Sequence, residues 1–400
     1  MIIGIDALTT AKGGEATYFH NLICALVRQS DNCRFVVWLP AEQTSQLRDL
    51  PANVQLQPVQ EWLNRPPARL FYQQTVLPAL LQSRGIDALL GLGNFIPYAR
   101  SHYSFRRIVA VVQMLALERP PIGPPLSKKT LPRLRLQAIR HHLLRSVRHA
   151  DLVIVPSHTA RSLLVKDHAI PADRVKVIHH GVDRLLFHEQ LRTQRAQVRA
   201  ACQQLGIRRP YLLSVSSFYR YKNQLNLIKA YARLRERVTD SPQLVLIGQP
   251  LAGDYLYEVE DEISVSQLQE HIRLIYFVHP ATLAYLYAGA EAVIQPSCCE
   301  IFGLAPLEGM ACGAPVAVAN ASAVPEICGD AALYFDPFDI DDIAEKIAML
   351  ITQPEIRKEY SNRGVERSRQ FSWDRVAAHT LAALKGTVVS DSALAAEIRC

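Results

Sequence analysis

The chain has 400 residues, of which 49% are hydrophobic and 20% charged, and its net charge is +7. This length exceeds what one hydrophobic core usually supports, so it predicts two domains, and the composition excludes a largely disordered chain. No apolar run reaches the roughly 18 residues that span a bilayer. The N-terminal residues MIIGID lack the basic and long apolar regions of a signal peptide. We therefore expect a cytoplasmic protein built of globular domains.

Short β-rich runs alternate with longer helical patterns along the first half of the chain, which predicts a parallel sheet flanked by helices. We predict strands at residues 2–5, 34–39, 88–90, 108–112, 152–155 and 175–178. We predict helices at residues 15–28, 69–82, 131–149 and 157–166. Ser157 is well placed as the N-cap of the last of these helices.

A polar, Arg-rich segment at residues 184–210 interrupts the pattern and predicts a connection between domains. A second set of elements follows, with strands at residues 211–215, 244–247, 273–277, 292–295 and 315–318 and a helix at 224–235. Ser372 can cap a final helix at 372–386, whose apolar face needs a surface to pack against. We predict two doubly wound domains facing a central cleft, at residues 1–184 and 185–371, with the final helix returning to the first domain.

Ligands of parallel sheets bind beyond the carboxyl ends of the strands, and the segment after strand 292–295 is the most informative one. It reads PSCCEIFGLAPLEGMACGAP. Pro306 suits the first turn of a helix, Gly313 suits the residue after its end, and Pro315 prevents its continuation. Glu300 is therefore expected in a strand-to-helix loop and Glu308 inside the helix.

This segment resembles the E-x7-E motif of the family-4 retaining glycosyltransferases, including those of bacterial surface polysaccharide assembly. The resemblance covers nearly the whole chain and is strongest through residues 211–337. It implies the GT-B architecture, with two Rossmann-like α/β domains. It implies that Glu300 binds hydroxyls of the transferred sugar, beside the backbone amides of Phe302, Gly303 and Leu304. It also implies that Glu308 holds the ribose hydroxyls of a nucleotide. The alternative for each glutamate is a helix cap or a surface carboxylate.

A second candidate site is the turn after strand 211–215, where Lys222 precedes a helix. A cation is unfavourable at a helix N-terminus unless an anion binds there, and a diphosphate is such an anion. In the family this turn reads G-R-x-x-x-x-K, and its arginine and lysine hold the donor phosphates. Here Ser216 and Ser217 occupy the glycine and arginine positions, and we expect Arg220 to compensate. The alternative is a solvated surface lysine.

Two weaker candidates lie in the first domain. Gly13 and Gly14 follow the first strand and match the glycine-rich loop that the family folds against the donor diphosphate. Family members often carry His-Asp after the strand corresponding to residues 108–112, where this chain has Gln113 and Met114. Glutamine can hydrogen-bond a sugar hydroxyl but does not titrate near neutral pH. We therefore expect Gln113 to bind donor sugar, the alternative being a solvated strand end.

The positive charge is concentrated between Arg100 and Arg148, where eleven Lys or Arg residues accompany one acidic residue, Glu118. The segment 128–148 predicts a basic amphipathic helix. Such helices bind anionic membrane surfaces, so we expect peripheral contact with the inner face of the cytoplasmic membrane. The alternative is a solvated basic face. Nucleic acid is not expected, because no recognition motif accompanies the charge.

The resemblance implies transfer of a hexose, with retention of configuration, from a nucleotide diphosphate sugar to a glycan or lipid-linked acceptor. Mannose from GDP-mannose is the first expectation. Lys222, Arg220 and backbone amides would stabilise the leaving diphosphate. The eight cysteines lack zinc-ligand spacing, and we expect no Asp-x-Asp pair in any loop at a strand end, so we expect no metal or cofactor. The alternatives are a nucleotide-sugar epimerase of the same fold and an inactive subunit of a polysaccharide-assembly complex.

Overall fold

The computed structural model describes residues 1–8, 14–30, 32–47, 50–99, 103–114, 116–117, 130–251 and 253–387. These residues form two units. The first unit takes the described residues up to 117, those from 130 to 181, and those from 373 onward. The second unit takes the described residues from 182 to 372.

The first unit is built on a seven-stranded parallel sheet with the order β3-β2-β1-β4-β5-β6-β7. Its strands are β1 Ile2–Asp6, β2 Arg34–Pro40, β3 Val54–Val59, β4 Ala88–Gly91, β5 Arg106–Ala110, β6 Leu152–Val155 and β7 Val175–Val177. Its first five helices are α1 Gly14–Arg28, α2 Pro66–Thr75, α3 Leu77–Ser83, α4 Thr130–His149 and α5 His158–Ser162. The strand order reverses between β1 and β4, where such sheets bind ligands.

The second unit is built on a six-stranded parallel sheet with the order β10-β9-β8-β11-β12-β13. Its strands are β8 Tyr211–Val215, β9 Gln243–Ile247, β10 Ile272–Ile275, β11 Ala292–Gln295, β12 Val316–Ala319 and β13 Leu333–Phe335. Its helices are α6 Arg195–Gln204, α7 Gln224–Arg237, α8 Gly253–Val265, α9 Pro280–Gly289, α10 Leu304–Ala311, α11 Val324–Cys328, α12 Ile340–Thr352 and α13 Pro354–Ser368. The order reverses between β8 and β11.

Both faces of the second sheet are buried. Neighbouring residues of one strand, such as Leu212 and Leu213 or Val293 and Ile294, belong to two different apolar clusters. Successive side chains of a strand point to opposite faces, so helices cover the sheet on both sides. This arrangement explains why the strands read as continuous apolar runs.

The last helix, α14 Trp373–Lys385, belongs to the first unit. Trp373, Val376 and Ala377 are buried in the same apolar cluster as Leu22 of α1 and Ile3 of β1. The amphipathic pattern seen in the sequence therefore has its apolar partner in the core of the first unit.

Several elements differ from the sequence-based expectation. Strand β3, VQLQPV, went unpredicted because its apolar alternation is brief and ends at Pro58, and β13 is only three residues long. The helix expected at 69–82 is two helices that meet at Val76, because Pro78 has no N–H to donate to the carbonyl four residues earlier and its ring crowds that carbonyl. The expected helix at 157–166 leaves α geometry after Ser162 and continues as a π turn, Leu163–Asp167. Its N-cap is confirmed, because the Ser157 side chain accepts from the Ala160 amide.

The segment expected to be a plain connection contains α6. Its residues Val198, Ala201 and Cys202 are buried in the core of the second unit. The polar and charged residues around it, including Arg195 and Arg199, concealed this short apolar face in the sequence. Within the described part of the chain, no helix combines the length and apolar character needed to cross a bilayer.

Candidate functional site

The loop between β11 and α10 has the local structure that its glycines and prolines predict. Gly303, with φ +102°, precedes the first residue of α10 and adopts a backbone conformation that favours glycine. Pro306 lies in the first turn, where a missing N–H costs nothing. Gly313, with φ +77°, follows the C-cap and ends the helix. Glu300 is therefore in the loop and Glu308 inside α10, as expected.

Glu300 and Lys222 form an ion pair beyond the carboxyl ends of β11 and β8. Lys222 Nζ lies 2.7 Å from Glu300 Oε1, and the two side chains are only 15% and 13% exposed. Burial alone would lower the pKa of Lys222, but the Glu300 carboxylate raises it above its ordinary value, so the ammonium stays charged. The pair provides one fixed cation and one fixed carboxylate within one hydrogen bond of each other.

The backbone around Lys222 holds this pair in place. Residues Arg220–Lys222 form a 3-10 turn, and Asn223 takes a left-handed conformation with φ +61° before α7 begins. The Asn223 side chain donates to the Pro337 carbonyl at 2.7 Å. The Cys298 amide donates to the Tyr221 carbonyl at 2.8 Å and ties the two loops together. A backbone hydrogen bond therefore joins the loop that carries Lys222 to the loop that carries Glu300.

Glu308 offers a second carboxylate on α10. Its Oε2 accepts a hydrogen bond from the Tyr287 hydroxyl at 3.1 Å. Burial raises the pKa of Glu308 to about 7, although the Tyr287 hydrogen bond acts in the opposite direction, and the nearby charge of Asp183 raises it further. A buried carboxylate of this kind gains from binding hydroxyl groups, because their hydrogen bonds replace the lost water.

Arg220 forms an ion pair with Glu258 and not with the Lys222–Glu300 pair. Its guanidinium makes a two-pronged ion pair with both carboxylate oxygens of Glu258 on α8, and it lies 5.4 Å from the centroid of the Tyr255 ring. The Glu258 hydrogen bonds raise the pKa of Arg220. To reach a phosphate, this guanidinium would have to exchange or share its Glu258 contacts.

Ser216 and Ser217 form the turn that leads from β8 toward Lys222. Ser216 Oγ and the Ser217 carbonyl both accept from Gln224 Nε2, at 3.0 and 3.1 Å. The turn packs against Gly248, where a Cβ atom would lie 1.9 Å from the Ser216 carbonyl oxygen. Among the contacts of the described residues, none joins either serine to the Lys222–Glu300 pair.

The remaining candidates lie in the first unit, except Gly13, which falls outside the described residues. Gly14 is the exposed first residue of α1. Gln113 follows β5 with an exposed side chain, and its backbone is held by Asn94, whose side chain accepts from the Gln113 amide at 3.3 Å and donates to its carbonyl at 3.2 Å. The Gln113 side chain also hydrogen-bonds the Glu15 carboxylate.

The sequence did not single out a polar cluster that includes Gln113, Glu15, Arg69, Asp6 and Gln73. Asp6, at the end of β1, accepts from Gln73 Nε2 at 2.7 Å and from the Leu8 amide at 3.1 Å. Burial raises the pKa of Asp6 to about 6 and that of Glu15 to about 7, while the charge of Arg69 lowers both. Isolated carboxylates in a turn-rich sequence carry no pattern, so only the assembled sheet reveals this cluster.

Three residues near Glu300 and Glu308 were also missed. Gln295 donates to Glu300, Tyr287 donates to Glu308, and Tyr221 has its ring centroid 4.9 Å from Lys222 Nζ. A signal existed only for Gln295, which is the one polar residue in the buried strand AVIQ.

One sequence-based statement needs correction. An Asp-x-Asp pair, Asp339 and Asp341, does follow a strand, but that strand is β13, which went unpredicted. The Asp339 side chain accepts from the Asp341 and Asp342 amides and caps α12. This carboxylate therefore has a structural partner in the backbone.

The basic helix expected at 128–148 corresponds to α4, with residues 128 and 129 outside the described part. Leu143 and Val147 are buried, whereas Leu136 and Ile139 are partly exposed. Four arginines of α4 have exposed side chains: Arg135, Arg140, Arg145 and Arg148. The helix thus has the amphipathic division that its sequence predicts.

Comparison with known proteins gives two family models that together match most of the chain. The model described as "Glycosyltransferase Family 4" matches residues 12–184, and "Glycosyl transferases group 1" matches residues 200–367. O-antigen chain mannosyltransferase B of Escherichia coli is 28% identical over 256 residues, covering 64% of this chain and 65% of that protein. D-inositol 3-phosphate glycosyltransferase of Arthrobacter sp. (strain FB24) is 28% identical over 241 residues, covering 60% and 56%. The chain thus spans less than two thirds of the length of these curated relatives.

Solved structures match along nearly the whole chain. Sucrose-phosphate synthase from Thermosynechococcus elongatus superposes with a TM-score of 0.76 at 18% identity, over 96% of this chain and 98% of that one. Anabaena Alr3699/HepE in complex with UDP-glucose superposes with a TM-score of 0.72 at 20% identity, over 96% and 100%. Together with the two parallel-sheet units, these similarities show the GT-B fold.

Proposed function

Because this chain belongs to the family-4 glycosyltransferases, which have the GT-B fold, we propose that it transfers a hexose from a nucleotide diphosphate sugar to a hydroxyl of a glycan or lipid-linked acceptor. The observation that carries the proposal is the buried Lys222–Glu300 pair beyond the carboxyl ends of β8 and β11. A cation and a carboxylate fixed side by side match a ligand in which a diphosphate adjoins a sugar bearing several hydroxyl groups.

In this proposal Lys222 binds the donor phosphates. The leaving nucleoside diphosphate gains negative charge as its bond to the anomeric carbon breaks, and the Lys222 ammonium is already in position to stabilise that charge. Amides at the N-terminus of α10, around Phe302, Gly303 and Leu304, add partial positive charge, because the first amides of a helix lack intrahelical acceptors. Arg220 contributes a further positive charge from its site on Glu258.

Glu300 and Glu308 recognise hydroxyl groups in the same proposal. Glu300 accepts from hydroxyls of the transferred sugar, and Glu308 accepts from the ribose diol. A carboxylate can accept two hydrogen bonds from adjacent hydroxyls, and such charge-assisted bonds are stronger than those between neutral groups. Buried carboxylates without these partners carry a desolvation cost. Hydrogen bonds from a nucleotide sugar would offset this cost and so contribute to the affinity for the donor.

Retention of configuration and independence of divalent metal are part of the proposal. Neither Glu300 nor Glu308 has to act as a nucleophile, so attack by the acceptor hydroxyl on the same face as the leaving phosphate accounts for retention. Lys222 supplies the charge that a metal would otherwise bring to the diphosphate. Mannose from GDP-mannose is the first donor to test, since the Escherichia coli relative and RfbU of Salmonella typhimurium are both named O-antigen chain mannosyltransferases.

The proposal includes a membrane-proximal acceptor. The exposed arginines of α4 would attract anionic lipid headgroups, each contributing roughly 1 kcal/mol near the surface. A peripheral position at the inner face of the cytoplasmic membrane would bring lipid-linked acceptors within reach of the first unit. Gln113 and Gly14 remain proposed donor contacts, and Gly13 with them.

The proposal is tested by incubating the purified chain with GDP-, UDP-, dTDP- and ADP-sugars in chelator and measuring release of nucleoside diphosphate with acceptor extracts. We expect one donor to be consumed and its sugar to appear in a product with unchanged anomeric configuration by proton NMR. Release of free sugar isomer without transfer would favour the epimerase. Absence of turnover with every donor, in chelator and with Mg²⁺, would favour the inactive subunit.

A further inference from the structure

Gln295 stands out as a polar side chain at the end of an otherwise apolar buried strand. It is the last residue of β11, it is 2% exposed, and the three residues before it, Ala292, Val293 and Ile294, are fully buried and apolar. Central strands of parallel sheets are apolar on both faces. A glutamine at this position needs a reason that packing does not supply.

The two amide hydrogens of Gln295 have separate partners. Nε2 lies 2.7 Å from Ser297 Oγ and 2.9 Å from Glu300 Oε1. Only the NH₂ end of the amide can face a carboxylate, which accepts but does not donate. This fixes the amide orientation, with the carbonyl oxygen turned away from Glu300.

The carbonyl oxygen Oε1 of Gln295 is buried, and it has no hydrogen-bond partner in the described structure. An unpaired buried acceptor destabilises a fold, and such atoms are rare in native proteins unless a function retains them. An apolar residue of the same size would remove this penalty. The placement therefore favours the Glu300 contact over stability.

Two donors from the described residues reach the Glu300 side chain, and both use the same oxygen. Lys222 Nζ lies 2.7 Å from Oε1 and Gln295 Nε2 lies 2.9 Å from it. In the proposed function Lys222 also binds the donor phosphates, so its ion pair with Glu300 weakens when a donor binds. Gln295 is neutral, so its hydrogen bond to Glu300 does not compete with phosphate binding.

We propose that Gln295 is a positioning residue: it holds Oε1 of Glu300 while Lys222 engages the donor phosphates, so that Oε2 faces the hydroxyls of the transferred sugar. This inference rests on the proposed function. Gln295 does not touch the sugar and acts only through Glu300. Its loss leaves the phosphate contacts in place and allows the Glu300 carboxylate to rotate.

The test compares Gln295→Met with wild type, using the donor that the wild type accepts. We expect kcat to fall roughly 10- to 100-fold, since a misplaced group of this kind costs about that much. The dissociation constant of the nucleoside diphosphate alone should change less than about threefold, because that probe lacks the sugar. The midpoint of thermal unfolding should stay the same or rise. A residue that only fills space would lower stability and activity together.

Gln243→Met is the matched control. Gln243 is the first residue of β9, at the opposite end of the same sheet, and its side chain accepts from the Arg208 amide at 2.7 Å. This variant should retain the wild-type kcat. An equal loss of kcat in the two variants would overturn the inference.

Gln295→Glu allows a measurement of the pH dependence of kcat, which a change in packing alone would not shift. At high pH two adjacent carboxylates repel each other, whereas a protonated Glu at 295 can again donate to Glu300. The pH profile of kcat should therefore shift toward acid relative to wild type, and an unshifted profile would contradict the inference. If the wild type is active and Gln295→Met is equally active, this inference is wrong while the proposed function stands. Wild type that uses no nucleotide sugar overturns the proposed function and the inference with it.

Discussion

The carboxyl ends of the strands carry acidic residues in both units, but in different electrostatic settings. In the second unit Glu300 faces the Lys222 ammonium at 2.7 Å. In the first unit Asp6 faces the Gln73 amide at 2.7 Å and Glu15 faces Gln113. The first setting is a fixed ion pair, and the second is a set of carboxylates that accept hydrogen bonds from neutral amides and share the more distant charge of Arg69.

This difference decides what each region can bind. An ammonium beside a carboxylate keeps a positive charge available for an anionic ligand at every pH near neutral. Carboxylates among amides lose their charge more easily, because burial raises the pKa of Asp6 to about 6 and that of Glu15 to about 7. The second unit is therefore suited to a diphosphate, and the first is suited to neutral hydroxyl groups.

The largest expected effect comes from removing the cation. Lys222→Met should lower the rate of transfer about 10²- to 10³-fold, the usual cost of losing one group that stabilises a developing charge. It should also weaken binding of the nucleoside diphosphate. Lys229→Met is the control, since Lys229 lies on α7 with an ion pair to Glu262 and a side chain 45% exposed. Unchanged turnover in Lys222→Met would remove the basis for assigning the phosphates to this site.

A second test uses Glu308, the other candidate carboxylate of the second unit, which accepts a hydrogen bond from the Tyr287 hydroxyl. Its pKa is raised from 4.5 to about 7 in the folded state, so the folded protein binds the proton more tightly than the unfolded chain. Stability from this group is then greatest below pH 4.5 and is lost as pH rises through 7. Relative to wild type, Glu308→Gln should gain about 3 kcal/mol in unfolding free energy between pH 4.5 and pH 8.

The matched control for this experiment is Glu345→Gln. Glu345 lies in α12, and its side chain is 63% exposed. Urea unfolding at a series of pH values measures both variants. If the difference between Glu308→Gln and wild type were constant across this range, the burial argument for Glu308 would be wrong.

Asp6 allows the same test of burial and pKa in the first unit, and its change in unfolding free energy should be slightly smaller. Its pKa is raised from 3.8 to about 6, so its contribution to stability is lost as pH rises from about 4 to 6. Asp6→Asn keeps an acceptor for the Leu8 amide and removes the charge. Relative to wild type, the variant should become more stable by somewhat under 3 kcal/mol over this window. A variant that instead lost stability relative to wild type as pH rose would show that the fold needs Asp6 as an anion.

The smallest expected effect concerns membrane contact, which is proposed for the first unit alone. Replacing Arg135 and Arg140 of α4 by glutamine should weaken binding to anionic vesicles by roughly 2 kcal/mol, or about 30-fold. Replacing Arg233 and Arg237 of α7, 54% and 48% exposed, removes the same charge from the second unit. Equal losses in the two double variants would mean that net charge, and not α4, controls binding.

The fold was largely predictable because the buried strands of a parallel sheet consist of nearly continuous apolar residues. Strands β6, β8 and β11 begin and end where the sequence predicts. The turn chemistry of α10 was predictable too, because only glycine readily takes the φ angles found at Gly303 and Gly313. The edge strand β3 and the helix α6 were not, because the apolar pattern of each is short and lies within a polar stretch of sequence.

The site was predictable only where its residues lie close together in sequence. Glu300 and Glu308 belong to one segment, and the conflict between Lys222 and the helix dipole gave a local reason to single it out. The partners Gln295 and Tyr287 are fixed by the tertiary fold, and so is the attachment of Arg220 to Glu258. Pairings of this kind follow from strand order and helix packing, which a local pattern does not encode.

The most direct test of the central claim is thermal unfolding of the wild type and Lys222→Met with GDP-, UDP-, dTDP- and ADP-sugars in chelator. A ligand at a hundredfold excess over its dissociation constant stabilises the folded state by about 2.7 kcal/mol. We expect one nucleotide sugar to raise the unfolding temperature of the wild type and to lose most of that effect in Lys222→Met. No shift with any nucleotide sugar, or equal shifts in the two proteins, would contradict the assignment of the donor to the second unit.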